Sequence, residues 1–192
     1  MQAVEAKVPG VHVLAPWTGS KDERGAFFES LRTDLLQDVV GHPFEVKQIN
    51  YSVSRRNHLR GIHSVTSPPG QAKYVSCVRG AFRDFVVDLR VGSPTFGQYD
   101  VNLLDAASGR ALYIPEGVGH GFLTLTEDAC ICYVLSSTYV PGTQIDIDPL
   151  DPDLALPWGF TEPPLISEKD RTARSLAATL EAGLLSEWPG GN

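Results

Sequence analysis

The run Leu-Arg-Gly-Ile-His-Ser-Val-Thr-Ser-Pro-Pro-Gly-Gln-Ala-Lys-Tyr-Val (59–75) sets one histidine, His63, between two cations, Arg60 and Lys73. Imidazole exchanges a proton near neutrality, and fixed cations beside it suit an anionic ligand. Taken alone, His63 reads more simply as a structural histidine. Two carboxylates shift that balance: Asp84 in Phe-Arg-Asp-Phe-Val-Val-Asp-Leu-Arg (82–90) and Asp170 in Ile-Ser-Glu-Lys-Asp (166–170). A carboxylate bonded to one ring nitrogen strengthens the other as a base. Tyr133 lies in Ile-Cys-Tyr-Val-Leu (131–135), where core packing with a tied hydroxyl is its simplest role. A histidine base and a tyrosine acid on opposite walls of a pocket would instead take a proton from one face of a substrate and return it to the other. Lys73 or His120 would then hold the oxyanion formed in between.

Other chemistries have a weaker footing. The chain has no Gly-x-Ser-x-Gly elbow, no phosphate-binding Gly-x-Gly-x-x-Gly or Walker loop, and no close Cys-His spacing of a zinc site. Pro115-Glu-Gly-Val-Gly-His120 has the Pro-x-Gly-x-x-His form of the second half of a cupin barrel. His63, however, is followed by Ser64-Val65 rather than a second histidine, and His12, His42 and His58 fall in expected surface segments. The usual metal triad is incomplete, which favours proton chemistry over a metal-dependent cupin oxygenase or isomerase using His63 and His120.

Apolar segments of strand length carry these residues: 46–53, 59–63, 72–78, 81–91, 97–104, 111–114, 121–125 and 129–135. Turn clusters such as Ser67-Pro-Pro-Gly70 and Pro115-Glu-Gly117 separate them, the pattern of an all-β sandwich or jelly-roll barrel. Short helices are expected at 30–40, with Leu31, Leu35 and Val39 in phase, and at 174–185; both would be outer packing. The Pro-rich stretch 149–164 reads as an extended arm over the barrel. Alternation puts Gln48, Asn50 and Ser52 on one strand face and Ile49, Tyr51 and Val53 on the other, and it points Lys73 with Val75 and Cys77. Gly61 would let another backbone or a ligand approach closely.

At 192 residues, with 42% hydrophobic and 20% charged content, the chain suits one domain with a real core, spanning 1–192 with its centre at about 22–176. A net charge of -7 argues against nucleic acid as a partner but leaves room for a small anion where cations cluster. No apolar run approaches membrane-spanning length and no signal core is present, so no membrane association and a cytoplasmic location are expected. Cys77, Cys130 and Cys132 are expected to be buried thiols.

Several motifs in order resemble the dTDP-4-dehydrorhamnose 3,5-epimerases and related dTDP-4-keto-6-deoxyhexose epimerases. They are Asp22-Glu-Arg-Gly-Ala-Phe-Phe-Glu29, Gln48-Ile-Asn50, Arg60-Gly-Ile-His63, Gln71-Ala-Lys73, the 84–90 segment, Gly92-Ser-Pro-Thr-Phe-Gly97, Ile114-Pro-Glu-Gly-Val-Gly-His-Gly-Phe122 and Ser167-Glu-Lys-Asp170. The resemblance implies an all-β, cupin-type jelly-roll barrel with short flanking helices, working as a homodimer without metal or cofactor on a dTDP-4-keto-6-deoxyglucose-like sugar nucleotide. By that resemblance His63 is the general base, paired with Asp170 and supported by Asp84, and Tyr133 is the general acid. Lys73 holds the C4 oxygen with His120 nearby, and Arg60, Gln48 and Asn50 contact the nucleotide sugar. Arg24, Phe27 and Glu29 meet the nucleotide across the dimer, Tyr139 stacks on thymine, and Lys169 assists binding.

A 4-keto group acidifies the hydrogens on C3 and C5 because the carbanion delocalises onto the C4 oxygen, so such an inversion needs no redox partner. Two departures bear on regiochemistry. Gln144 stands where rhamnose-pathway members usually carry Glu, and Ser64-Val65 stands where they carry an aromatic residue and Gln. Inversion at C3, at C5 or at both is compatible with the motifs. A sugar-nucleotide-binding cupin without activity is the alternative of a different class.

Overall fold

A computed structural model describes residues 2–16 and 18–190, so the expected span 1–192 exceeds it by Met1, Trp17, Gly191 and Asn192. In chain order the elements are β1 (Gln2–Glu5), β2 (His12–Ala15), β3 (Thr18–Asp22), β4 (Gly25–Phe28), α1 (Thr33–Val40), β5 (Gln48–Ser54), β6 (His58–Val65), β7 (Lys73–Arg79) and β8 (Ala81–Asp88). There follow β9 (Tyr99–Asp105), β10 (Ala111–Ile114), β11 (Val118–Thr124), β12 (Ala129–Leu135), β13 (Gln144–Asp146), β14 (Leu165–Ile166), α2 (Glu168–Arg171) and α3 (Leu176–Glu181). One sheet runs β1-β2-β10-β7-β12-β5 and a second runs β13-β6-β11-β8-β9, with β14 also on β6; β3 and β4 form a separate hairpin. This is the expected all-β jelly roll. No described helix is long and apolar enough to cross a membrane.

Alternation along the strands builds the core between the sheets. Val75, Cys77 and Ile131 from the first sheet pack against Phe82, Val86, Val118 and Phe122 from the second. Ile131 and Tyr133 share a face of β12, and Lys73 shares one with Val75 and Cys77 on β7, so the polar members extend the core face into a pocket. Val8, Val11 and Leu14 are also buried. These residues come from the segment before residue 22, where β2 joins the first sheet against β10.

The outer faces are covered as the patterns imply. The Pro-rich arm buries Leu154, Leu156 and Trp158 on the second sheet, with the Trp158 ring 4.1 Å from that of Phe85. On the first sheet, α1 buries Leu36 beside Phe44, Tyr74 and Tyr113. Both expected helices are shorter than the sequence suggested. α1 starts at Thr33, and α3 is confined to Leu176–Glu181 by the Ser175 hydroxyl, which accepts from the Ala178 amide, and by Gly183 at φ 66°.

Gly61 does permit a close backbone approach. Its φ is 117°, and a Cβ there would lie 2.5 Å from Gly121 Cα and 2.8 Å from the His120 carbonyl oxygen. The close crossing of β6 and β11 sets His63 and His120 opposite one another in register.

Candidate active site

A cavity of about 590 Å³ opens between the sheets at one end of the barrel. His63 and His120 border it from the second sheet, and Lys73, Tyr133 and Asn50 from the first. Each histidine is held from behind. His63 Nε2 lies 2.7 Å from Asp170 Oδ1, and His120 Nε2 lies 2.6 Å from Asp84 Oδ2. A carboxylate accepting from Nε2–H leaves Nδ1 as the ring nitrogen free to take a proton.

Asp84 therefore supports His120 rather than His63, a correction to the sequence-based expectation. The reason is register: Asp84 pairs with Phe122 on β11, two residues from His120, so its inward carboxylate meets that ring. Asp170 is placed by α2, whose N-cap Ser167 hydroxyl accepts from the Asp170 amide at 3.1 Å. Burial alone would raise the Asp170 carboxyl. Hydrogen bonds from His63 and Ser167, with the charges of His63 and Lys169, outweigh it and hold the group below its ordinary range.

Lys73 is buried, with Nζ donating to the His63 carbonyl at 3.3 Å. Desolvation pulls its ammonium down to about 8, against an opposing pull from Asp84. It stays mostly cationic at neutral pH yet gives up a proton readily. Tyr133 lies edge-on to His120 with ring centroids 5.9 Å apart. Burial and the Asp84 charge push its phenol well up, only partly offset by Arg60, so it remains a protonated donor.

The remaining expected residues divide. Arg60 and Tyr139 border the cavity. Gln48 does not: its amide donates to Asn50 Oδ1 at 3.0 Å and accepts from the Tyr139 backbone at 2.9 Å, bracing the segment that carries Tyr139. Arg24, Phe27 and Glu29 lie away from this chain's own cavity. Arg24 folds back onto Asp22 at 2.6 Å in the turn before the exposed strand β4. Lys169 sits behind His63, bonded to Asp146 at 2.9 Å.

Asp146 escaped the sequence reading. Its donor atom, with those of His63 and Asp170, forms a group lying within 4.8 Å of one another, a size that suits a cation. The ammonium of Lys169 already stands among them, 3.5 Å from His63 Nε2 and 4.0 Å from Asp170 Oδ1. A signal for Asp146 was present in Gln-Ile-Asp-Ile-Asp (144–148), whose strict alternation marks a short strand with Ile145 and Ile147 buried.

A sequence model described as dTDP-4-dehydrorhamnose 3,5-epimerase matches residues 5–178. The chain is 50% identical over 181 residues to a dTDP-4-dehydrorhamnose 3-epimerase of Streptomyces niveus, covering 94% of this chain and 86% of that protein. Its fold is similar to the crystal structure of NovW, a 4-keto-6-deoxy sugar epimerase from the novobiocin biosynthetic gene cluster of Streptomyces spheroides. There the TM-score is 0.94 at 45% identity, covering 98% of this chain and 94% of that one. It is also similar to ChmJ, a 3'-monoepimerase from Streptomyces bikiniensis crystallised with dTDP-quinovose, with a TM-score of 0.91 at 43% identity over 95% and 91% of the two chains.

Proposed function

The chain belongs to the dTDP-4-dehydrorhamnose 3,5-epimerase family, and from that membership we propose that it inverts C3 of a dTDP-4-keto-6-deoxyhexose by proton transfer through a C4 enolate. The observation that carries this reading is the His63–Asp170 pair at 2.7 Å on one wall of the cavity, with the protonated Tyr133 phenol on the facing sheet. His63 Nδ1 takes the C3 proton, the electron pair moves onto the C4 oxygen, and Lys73 stabilises the oxyanion with His120 beside it. Tyr133 delivers a proton to the opposite face of C3. The tyrosinate regains a proton from solvent and His63 releases one. No oxidation state changes, so the reaction needs no redox partner. Aimed donors at the enolate oxygen are worth about 3 to 4 kcal/mol of barrier and a matched base about 10² to 10⁴-fold in rate.

C3 is favoured because the Streptomyces niveus relative is named a 3-epimerase and ChmJ a 3'-monoepimerase. Arg60 takes the diphosphate, whose oxygens fit a guanidinium fork, and Tyr139 the thymine. The working unit is a homodimer. Ile49, Tyr51 and Val53 leave an exposed apolar row on β5, an edge strand among the described residues, and the β3–β4 hairpin carries Arg24, Phe27 and Glu29 away from the chain's own cavity. The second subunit's cavity is where those three side chains serve.

The test is solvent deuterium exchange. In D₂O with dTDP-4-keto-6-deoxyglucose, NMR will show deuterium entering C3 as the product inverts, and exchange at C5 would extend the reaction to both carbons. Incorporation at neither carbon would end the epimerase reading; loss of activity on chelation would favour a metal cupin instead.

A further inference from the structure

Asp146 stands directly opposite His63 in the β13–β6 ladder, with its Oδ1 3.6 Å from His63 Nε2. The same oxygen accepts from Lys169 Nζ at 2.9 Å and from the Gln144 amide at 2.6 Å. Lys169 Nζ is itself 3.5 Å from His63 Nε2. On its Nε2 side the imidazole therefore meets two carboxylates, Asp170 and Asp146, and one ammonium, Lys169. The sum is one net negative charge while the ring is neutral, and none once the ring holds a proton.

We propose that Asp146 is a positioning residue for the base, paired with Lys169 so that their charges cancel and Asp170 alone answers the imidazolium. This deepens the assignment of His63 as base and rests on it. Without Asp146, the Lys169 ammonium faces the ring uncompensated and opposes protonation. Without Lys169, a second bare carboxylate holds the proton too firmly for its release. Gln144 fixes the arrangement because its amide can only donate to Asp146 through nitrogen, whereas a carboxylate at 144 would add a third negative charge beside it. The other charged or titratable groups around His63 are Lys73 from β7, Tyr133 from β12, His120 from β11 with Asp84 behind it, and Arg60 on its own strand. None of them contacts Asp146 by hydrogen bond or ion pair.

The experiment follows the His63 ring directly, by NMR titration of histidine-labelled full-length protein, with the signal assigned through its loss in His63→Gln. Asp146→Asn is expected to lower the His63 midpoint by about one pH unit and Lys169→Met to raise it by about as much, both charges lying within 4 Å of the ring. The Asp146→Asn/Lys169→Met double variant returns close to wild type. The acidic limb of the deuterium-exchange profile moves with each midpoint. Asp146 and Lys169 side chains are 25% and 52% exposed, so both single variants should fold, and either sign of shift tests the pairing independently. Midpoints that stay put, or move the same way in both single variants, would overturn the proposal. Wild-type protein that titrates as expected but exchanges no deuterium would instead count against the epimerase assignment and leave the Asp146 pairing standing.

Discussion

His63 and His120 are register partners on adjacent strands, and each has its Nε2 held by a different carboxylate, Asp170 at 2.7 Å and Asp84 at 2.6 Å. Two imidazoles of one tautomer thus border one cavity, but their settings differ. The side chain of His120 is 5% exposed, while that of His63 is 29% exposed and in reach of solvent. His63→Gln should cut C3 deuterium exchange by about 10²-fold or more, with dTDP binding retained by calorimetry. An unchanged exchange rate would remove His63 from the role of base.

Tyr133→Phe separates the two proton transfers. Abstraction by His63 survives, so deuterium still enters C3, but it returns to the face it left. NMR should show washed-in substrate with retained configuration and inversion reduced by about 10²-fold. Wild-type inversion in this variant would assign the acid to another group.

Lys73 gives the pH dependence a sign. Its ordinary value of 10.5 falls to about 8 in the fold, so turnover should decline above that pH as the donor to the enolate oxygen is lost. For stability, the unfolded chain binds this proton more tightly. The cost of burying the ammonium is therefore full below pH 8, shrinks as pH rises, and is gone by about 10.5. Urea unfolding of wild type and Lys73→Met at pH 7 and pH 10 should show the variant gaining its largest relative stability at pH 7, at most about 3 kcal/mol. A constant difference would mean that Lys73 is already neutral.

Tyr51→Asp places a charge in the exposed apolar row of β5 and should convert a dimer to a monomer in sedimentation equilibrium, with a rise in KM. Arg24→Ala should weaken dTDP binding about tenfold while leaving the dimer intact. Monomeric wild-type protein would refute the shared site.

Gly61→Ala tests the crossing under the two histidines. With φ at 117° and only backbone within 3 Å of the added Cβ, the strands must part. A destabilisation of roughly 3 kcal/mol or more is expected in denaturant, and a neutral substitution would show that β6 and β11 can separate freely.

Much of this was legible in the chain. The eight middle strands are bounded by turn residues with local physical preferences, so β5 to β12 follow from the sequence, as does the inward direction of Lys73. Long-range pairing was not legible. β13 is three residues long and exists because β6 offers it an edge. α2 spans four residues held by the Ser167 cap. Asp84 could have served either histidine until register chose between them. Gln48 likewise has the residue type of a ligand contact; alternation sets it beside Asn50, but the Tyr139 amide that takes up its oxygen is a long-range partner no local pattern could reveal.

The proposed base and acid stand on opposite sheets, His63 on β6 and Tyr133 on β12, facing across a cavity that lies on the packed layer containing Val75, Ile131, Val86 and Phe122. That layer works as a spacer gauge. The two sheets, packed about 10 Å apart backbone to backbone, are held at that spacing by the hydrocarbon beneath the cavity. A methylene added or removed at Ile131 or Val86 would therefore shift the two walls of the cavity without touching a substrate, so the reach of the proposed proton transfers is inherited from the core.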